Sequence, residues 1–168
     1  MTGAYAKPPM PTRERLTFRA VLLDQDPARS LVKAMRDEIA TIYEGVVLDG
    51  PHMPAAGPRE LGPPGGVFLV GFGEHGEAVC GGGVKDLGHG ACEIKRMYVV
   101  PDARNDGRGR ELLEALEDAA RGLGYERARL DTGPKQHRSE RMYRAAGYEP
   151  IENFNQSPVA TYFGEKPL

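Results

Sequence analysis

Glu93-Ile-Lys-Arg-Met-Tyr-Val-Val-Pro-Asp-Ala-Arg104-Asn-Asp-Gly107-Arg-Gly109-Arg-Glu-Leu-Leu113 runs a strand into a glycine-bearing turn that opens a helix. A helix start of this kind binds phosphate. Its first four N–H groups have no intrahelical partner and lie at the positive end of the dipole, so backbone alone can hold an anion. Gly107 and Gly109 remove the Cβ atoms that would keep a pyrophosphate at a distance.

Working outward, Arg108 to Leu123 carries Leu112, Leu113, Leu116, Ala119, Ala120 and Leu123 on one helical face, with Gly124 to cap it. Upstream, Val67–Phe72, Ala78–Val84 and Ala91–Val100 are separated by turns at Glu74–Gly76 and Leu87–Gly90, and predict three strands in an antiparallel meander. Downstream, Arg127–Thr132 predicts a strand and Gln136–Ala146 a helix closed by Gly147. Tyr148–Ile151 and Val159–Phe163 predict a last pair of strands.

Before the meander, Leu16–Leu23 predicts a strand. Asp26-Pro27 supplies an N-cap and a proline at the first helical position, and Leu31, Val32, Met35, Ile39 and Ile42 follow at helical spacing. Gly45 to Gly66 holds five prolines among several glycines and predicts an irregular loop, a length that in a compact domain is usually functional or disordered. Residues 1–12, with three prolines and no periodicity, predict a mobile leader, and 13–168 a single mixed α/β domain.

Composition excludes several classes. With 40% hydrophobic and 27% charged residues and a net charge of -2, the 168-residue chain lacks the basic surplus that nucleic-acid binding needs. No segment is long and apolar enough for a membrane span, and the start lacks the apolar core of a signal peptide, so a cytoplasmic protein is expected. The four histidines and two cysteines show no metal-ligand spacing. Folding the meander about Leu87–Gly90 sets Cys92 roughly opposite Val84 or Lys85, away from Cys80, so no disulfide is expected.

Gly107-x-Gly109 alone is a weak signal, being neither a Walker A sequence nor a dinucleotide fingerprint. Its company is stronger. Arg104-x-x-Gly107-x-Gly109, preceded by Glu93-Ile-Lys-Arg-Met-Tyr-Val and followed by Leu112-Leu113, resembles the acetyl-CoA signature of the GNAT superfamily of N-acetyltransferases. Leu130-Asp-Thr-Gly, Gln136 and Met142-Tyr143-Arg-Ala-Ala-Gly147-Tyr148 resemble that family's second block, and together the two span about Ala78 to Ile151.

The resemblance implies the GNAT acyl-CoA N-acyltransferase fold, a mixed and mostly antiparallel sheet flanked by helices whose fourth and fifth strands splay apart. It implies acetyl-CoA as cosubstrate, no metal, and direct transfer of the acetyl group to a primary amine within a ternary complex. The N–H groups of Gly107, Gly109 and their neighbours Asn105, Asp106, Arg108 and Arg110 would cradle the pyrophosphate. Arg104 and Arg108 would add charge-assisted contacts, unless they are solvated side chains at a helix start. The main chain of Met97, Tyr98 and Val99 would bond the pantetheine arm, and Gln136 belongs to the same site. Asn105 and Asp106 depart from the family's usual residues, and an inward Asp106 would repel phosphate.

Tyr143 aligns with a tyrosine that in many relatives lies near the sulfur; the alternative is a core tyrosine with a satisfied hydroxyl. A phenol of pKa ~10 giving a proton to a thiolate near ~8.5 goes uphill by about 2 kcal/mol, so hydrogen bonding competes with acid catalysis. Glu93 stands where several relatives keep a general base, commonly acting through water; the alternative is an ion pair with Lys95 or Arg96 on the strand surface. Such a base is needed, since an alkyl ammonium of pKa ~10 is only about one part in a thousand neutral at pH 7. A carboxylate at ~4.3 is a poor base unless burial or a water chain helps it.

The family's acceptor side corresponds here to Tyr43, Glu44 and the Gly45–Gly66 loop, with Phe154, Asn155, Tyr162 and Phe163. A small-molecule or peptide amine is implied, with Glu44 as one group for a cationic amine. Nothing in the sequence selects among acceptors or fixes the acyl length. A homodimer is an assembly common in the family. A CoA-binding or sensing module of the same fold without catalysis is the main alternative, and an unrelated nucleotide-phosphate binder would want a Lys-Ser/Thr that does not follow Gly109.

Overall fold

The computed structural model describes residues 13–168, and the expected leader, residues 1–12, lies outside the described residues. Chain order is β1 (Thr17–Ala20), α1 (Ala28–Ile42), β2 (Val67–Phe72), β3 (Ala78–Gly88), β4 (Ala91–Val99), a 3-10 turn (Pro101–Ala103), α2 (Arg108–Gly122), β5 (Arg127–Thr132), α3 (His137–Ala145), β6 (Glu149–Pro150) and β7 (Tyr162–Pro167). All seven strands form one sheet in the order β1-β2-β3-β4-β5-β7-β6. Among the described residues β4 and β5 are the one parallel pair, joined by the crossover through α2, whereas β1 and β2, also joined through a helix, pair antiparallel.

The centre of the sheet owes its shape to Gly81-Gly82-Gly83 on β3. A Cβ on Gly81 would come within 2.9 Å of Phe68, one on Gly82 within 2.8 Å of Leu116, and one on Gly83 within 2.8 Å of Leu61. Side chains from both layers occupy the space these residues leave empty, which sets how closely the helices sit on the sheet. One core packs α2 against the sheet through Leu112, Leu113, Leu116 and Ala120, all fully buried. A second holds α1 through Ala28, Leu31, Val32 and Met35 with Phe68 and Val70.

The turns close as glycine chemistry dictates. Tyr125 N–H reaches the Ala120 carbonyl past Gly124 (φ 90°), and Tyr148 N–H reaches Tyr143 past Gly147 (φ 96°), two helix stops at the expected glycines. The first helix begins one residue later than expected, since the Pro27 carbonyl already accepts from Leu31 N–H and makes Pro27 the cap.

Other expectations need correction. The turn joining β3 to β4 is tighter than Leu87–Gly90, with His89 (φ 52°) and Gly90 (φ 74°) at its centre, so Cys92 pairs with Asp86. Both thiols remain free and buried. The first strand shortens to Thr17–Ala20. At the C-terminus the pairing strands are Glu149–Pro150 and Tyr162–Pro167, because residues 152–160 form a loop closed on its own polar side chains: Ser157 Oγ accepts from Val159 and Ala160 N–H, and Asn155 Oδ1 from Ser157 N–H.

Candidate active site

The parallel ladder between β4 and β5 holds only from Ala91↔Arg127 to Glu93↔Arg129, after which the strands part. Ile94 to Val99 and Leu130 to Thr132 therefore face a gap. Two devices open it. A bulge on β4 interrupts the register between Gly81↔Tyr98 and Gly83↔Lys95, with Arg96 at φ 58°. On the other side β5 follows β7, pairing Thr132 with Tyr162.

A cavity of about 890 Å³ occupies the gap. Met97, Tyr98 and Val99 form its β4 wall; Arg104, Asn105, Gly107, Arg108, Gly109 and Arg110 form one end, with Gln136 and Tyr143 opposite. At that end α2 begins at Gly107 (φ 74°), and the first backbone bond of its first turn runs from Glu111 N–H to the Gly107 carbonyl. The N–H groups of Arg108, Gly109 and Arg110 precede it and have no intrahelical acceptor. Gly109 lies against Met142, whose Sδ would be 3.3 Å from an added Cβ.

The arginines of the turn are committed to the fold. Arg104 forks onto Glu38 of α1 at 2.7 and 2.5 Å and donates its Nε to the Val99 carbonyl, and the Glu38 hydrogen bond raises its already high pKa. Arg108 donates to the Glu14 carbonyl and to Glu111. Asp106 lies outside the cavity lining and pairs with Arg13 at 3.4 Å, so its charge is turned away from the gap. Asn105 (φ 66°) is held through its Oδ1 by Arg138. Gln136 is the residue before α3, and its Oε1 accepts from Gly133 N–H at 3.3 Å, closing the preceding turn and not the helix.

Glu93 sits at the last paired position, where the gap begins, and is 0% exposed. It is not a surface residue. Its Oε1 accepts from Asn155 Nδ2 at 2.7 Å and pairs with Lys95 Nζ at 3.0 Å, while Oε2, with Lys85 Nζ at 3.9 Å, makes no hydrogen bond. The same Asn155 Nδ2 and Lys95 Nζ reach Asp131 Oδ2 at 2.7 and 3.6 Å. Glu93 lies behind the cavity wall; Asp131 and Lys95 line it. Sequence reading missed Asp131 as a site residue, although Leu130-Asp-Thr-Gly places it where β5 leaves β4 and an alternating strand puts its side chain opposite Leu130.

Tyr143 donates its hydroxyl to Met97 Sδ at 3.7 Å. Burial, with Asp131 adding to it, pushes its pKa well above the phenol range. The expected acceptor side is formed by α1 and the 45–66 loop: Met35, Ile39, Ile42, Val46, Leu48 and Met53 make an apolar wall. Glu44 is exposed and does not line the cavity. Phe154 and Phe163 pack edge to face at 6.0 Å, and neither is part of the lining. Among the described residues no group of three or more His, Cys, Asp or Glu is arranged to hold a metal ion, and no helix is long and apolar enough to cross a membrane.

A mixed sheet opened beyond a short parallel pair, with a helix N-terminus at the end of the gap, defines an acyltransferase architecture. The model of the acetyltransferase (GNAT) family matches residues 18–148, and the chain belongs to that family. Among similar proteins, an uncharacterised N-acetyltransferase of Schizosaccharomyces pombe is 34% identical over 60% of this chain and 63% of its own length. An IAA acetyltransferase of Azospirillum brasilense is 38% identical over 53% of this chain and 60% of its own. These matches span less than two thirds of either relative. A solved structure of a candidate acyl-CoA N-acyltransferase from Klebsiella pneumoniae superposes with TM-score 0.72 at 26% identity, covering 91% of this chain and 97% of that one.

Proposed function

We propose that the protein is a cytoplasmic N-acetyltransferase that moves the acetyl group of acetyl-CoA directly to a primary amine in a ternary complex. The observation that carries this reading is the gap itself: the β5-facing edge of Ile94–Val99, open beyond Glu93, runs into the N–H groups of Arg108, Gly109 and Arg110, which have no intrahelical acceptor, along one cavity. An extended ligand with amide groups at one end and a pyrophosphate at the other fits that sequence of partners. Acetyl-CoA, when bound, supplies an acyl group already activated as a thioester.

Backbone N–H groups of the α2 first turn hold the pyrophosphate, while Arg104 and Arg108 fix the turn and Arg110, paired with Glu114 at 3.0 Å, stands at the same end of the cavity. Met97, Tyr98 and Val99 align the arm through main-chain bonds. Glu93 takes up the proton of the attacking amine, and Asp131, which shares Lys95 and Asn155 with it, carries that proton in from the cavity. As the N–C bond forms and the C–S bond breaks, the Tyr143 hydroxyl stabilises the departing sulfur by a hydrogen bond. Its raised pKa favours this role over proton donation.

Release of free thiol from acetyl-CoA over a panel of amines tests the proposal, with the melting temperature measured at saturating CoA. Stabilisation by CoA with no turnover on any amine points to the binding module instead. No stabilisation overturns both. Whether the protein acts as a homodimer is read by light scattering.

A further inference from the structure

The acceptor end of the cavity carries a polar group that the transfer chemistry does not use. Arg96 sits in the β4 bulge with its side chain only 6% exposed, and it lines the cavity. Its Nη2 is spent on Asp49 at 2.9 Å and the Leu48 carbonyl at 3.5 Å, but its buried Nε has no hydrogen-bond partner. An orphaned, desolvated guanidinium N–H is costly, and a water or an anion with an acceptor atom would relieve it. Burial lowers the Arg96 pKa, against the opposing pull of Asp49.

The neighbouring charges point the same way. Asp49 is already shared with Arg36 at 2.8 Å, Glu38 is forked by Arg104, and Glu93 and Asp131 share Lys95 and Asn155. Lys135 Nζ, also in the lining, donates to the Ile42 carbonyl and lies over the Tyr43 ring, with no carboxylate in ion-pair range among the described residues. Every acidic group at this end has a cation, so a second ammonium on the acceptor finds no free partner. The remaining wall, from Met35, Ile39, Ile42, Val46, Leu48 and Met53, is apolar.

Building on the transfer reading, we infer that the acceptor is a free α-amino acid with an apolar side chain, whose carboxylate is held by Arg96. Arg96 directly precedes Met97, whose main chain borders the gap, and so stands beside the path proposed for the coenzyme arm. In the reaction the amino nitrogen bonds the acetyl carbon, the thiol of CoA leaves, and the product is the N-acetyl amino acid.

The test is a matched series on the full chain: leucine, leucinamide, leucine methyl ester, isoamylamine and the dipeptide Leu-Gly. Both thiol release and the melting temperature of the CoA-loaded protein are followed. The amide and ester carry more free amine at neutral pH than leucine, so preference for leucine cannot come from amine protonation. The expected result is a kcat/KM for leucine about 100-fold above every analogue lacking the adjacent carboxylate. Arg96→Gln is expected to raise KM for leucine about 10-fold or more with a smaller change in kcat, leaving stabilisation by CoA intact. Equal turnover of leucine and its ester or amide overturns the inference and leaves the transfer reading standing. Stabilisation by leucine alone without thiol release supports the carboxylate site and overturns transfer. Absence of any selectivity in both readouts overturns the inference, whether or not Arg96→Gln folds.

Discussion

Arg104 and Glu38, 66 residues apart in sequence, meet in a two-bond fork of 2.7 and 2.5 Å that ties α1 to the turn at the phosphate end of the cavity. The pair is about one third exposed on each side, so its worth lies in geometry more than in raw Coulomb energy. Arg104→Gln is expected to cost about 1 kcal/mol of stability and to raise KM for acetyl-CoA several-fold. Urea melts and steady-state kinetics measure the two effects, and an unchanged KM would show that the fork does not order the turn.

Removing the charge of Glu93 while keeping its shape tests the carboxylate network. Glu93→Gln is expected to lower kcat by about 100-fold near neutral pH and to recover partly as pH rises and the amine deprotonates unaided. Asp131→Asn is expected to act in the same direction, because both carboxylates share Asn155 and Lys95. A double variant is expected to lose no more than the worse single one. Additive losses in the pH–rate profiles would separate the two roles.

Gly109 tests the close approach of α2 to α3. Gly109→Val pushes side-chain atoms toward Met142 Sδ, already 3.3 Å from an ideal Cβ, and is expected to weaken stabilisation by CoA. Met142→Ala in the same chain makes room and is expected to restore part of it. If the second change restores nothing, the glycine matters for the ligand itself and not for helix packing.

Cys80 and Cys92 lie in the sheet, where burial pushes both thiols up to about 12. A raised native value means the unfolded chain releases these protons first. Stability is then complete below pH ~9 and falls as pH climbs toward 12, by about 1.4 kcal/mol per unit for each thiol. Replacing both cysteines by alanine is expected to flatten that slope in urea melts at pH 8 to 11. The same burial predicts no labelling by a thiol reagent until urea exposes the two groups, which would keep the thiol-release assay free of protein background.

Much of this was legible in the sequence, and the misses share a cause. Local chemistry marked α2, β5 and α3 to within a residue or two, because leucine spacing and the stops at Gly124 and Gly147 are set by neighbours along the chain. The last strand was displaced, since Val159–Phe163 has strand composition but Ser157 draws Val159 and Ala160 into its own hydrogen bonds. The turn glycines were evident in the sequence, whereas the burial of Glu93 and its link through Asn155 to Asp131 join segments 62 and 24 residues apart. Arg96 shows the limit most plainly: a charged residue on a strand reads as surface, and only the bulge turns it inward.

The early end of the β4–β5 ladder has a cost and a use. From Ile94 onward, the β4 peptide groups that face β5 are left without a strand partner on that edge. A bound chain of amides lying there would act as a missing strand, so ligand uptake becomes the final step of assembling the sheet. The empty protein should then exchange quickly those amide hydrogens of Ile94–Val99 and Leu130–Thr132 that point into the gap and not to β3 or β7, and slowly once loaded. Affinity for the coenzyme and local rigidity of the sheet would be two measures of a single equilibrium.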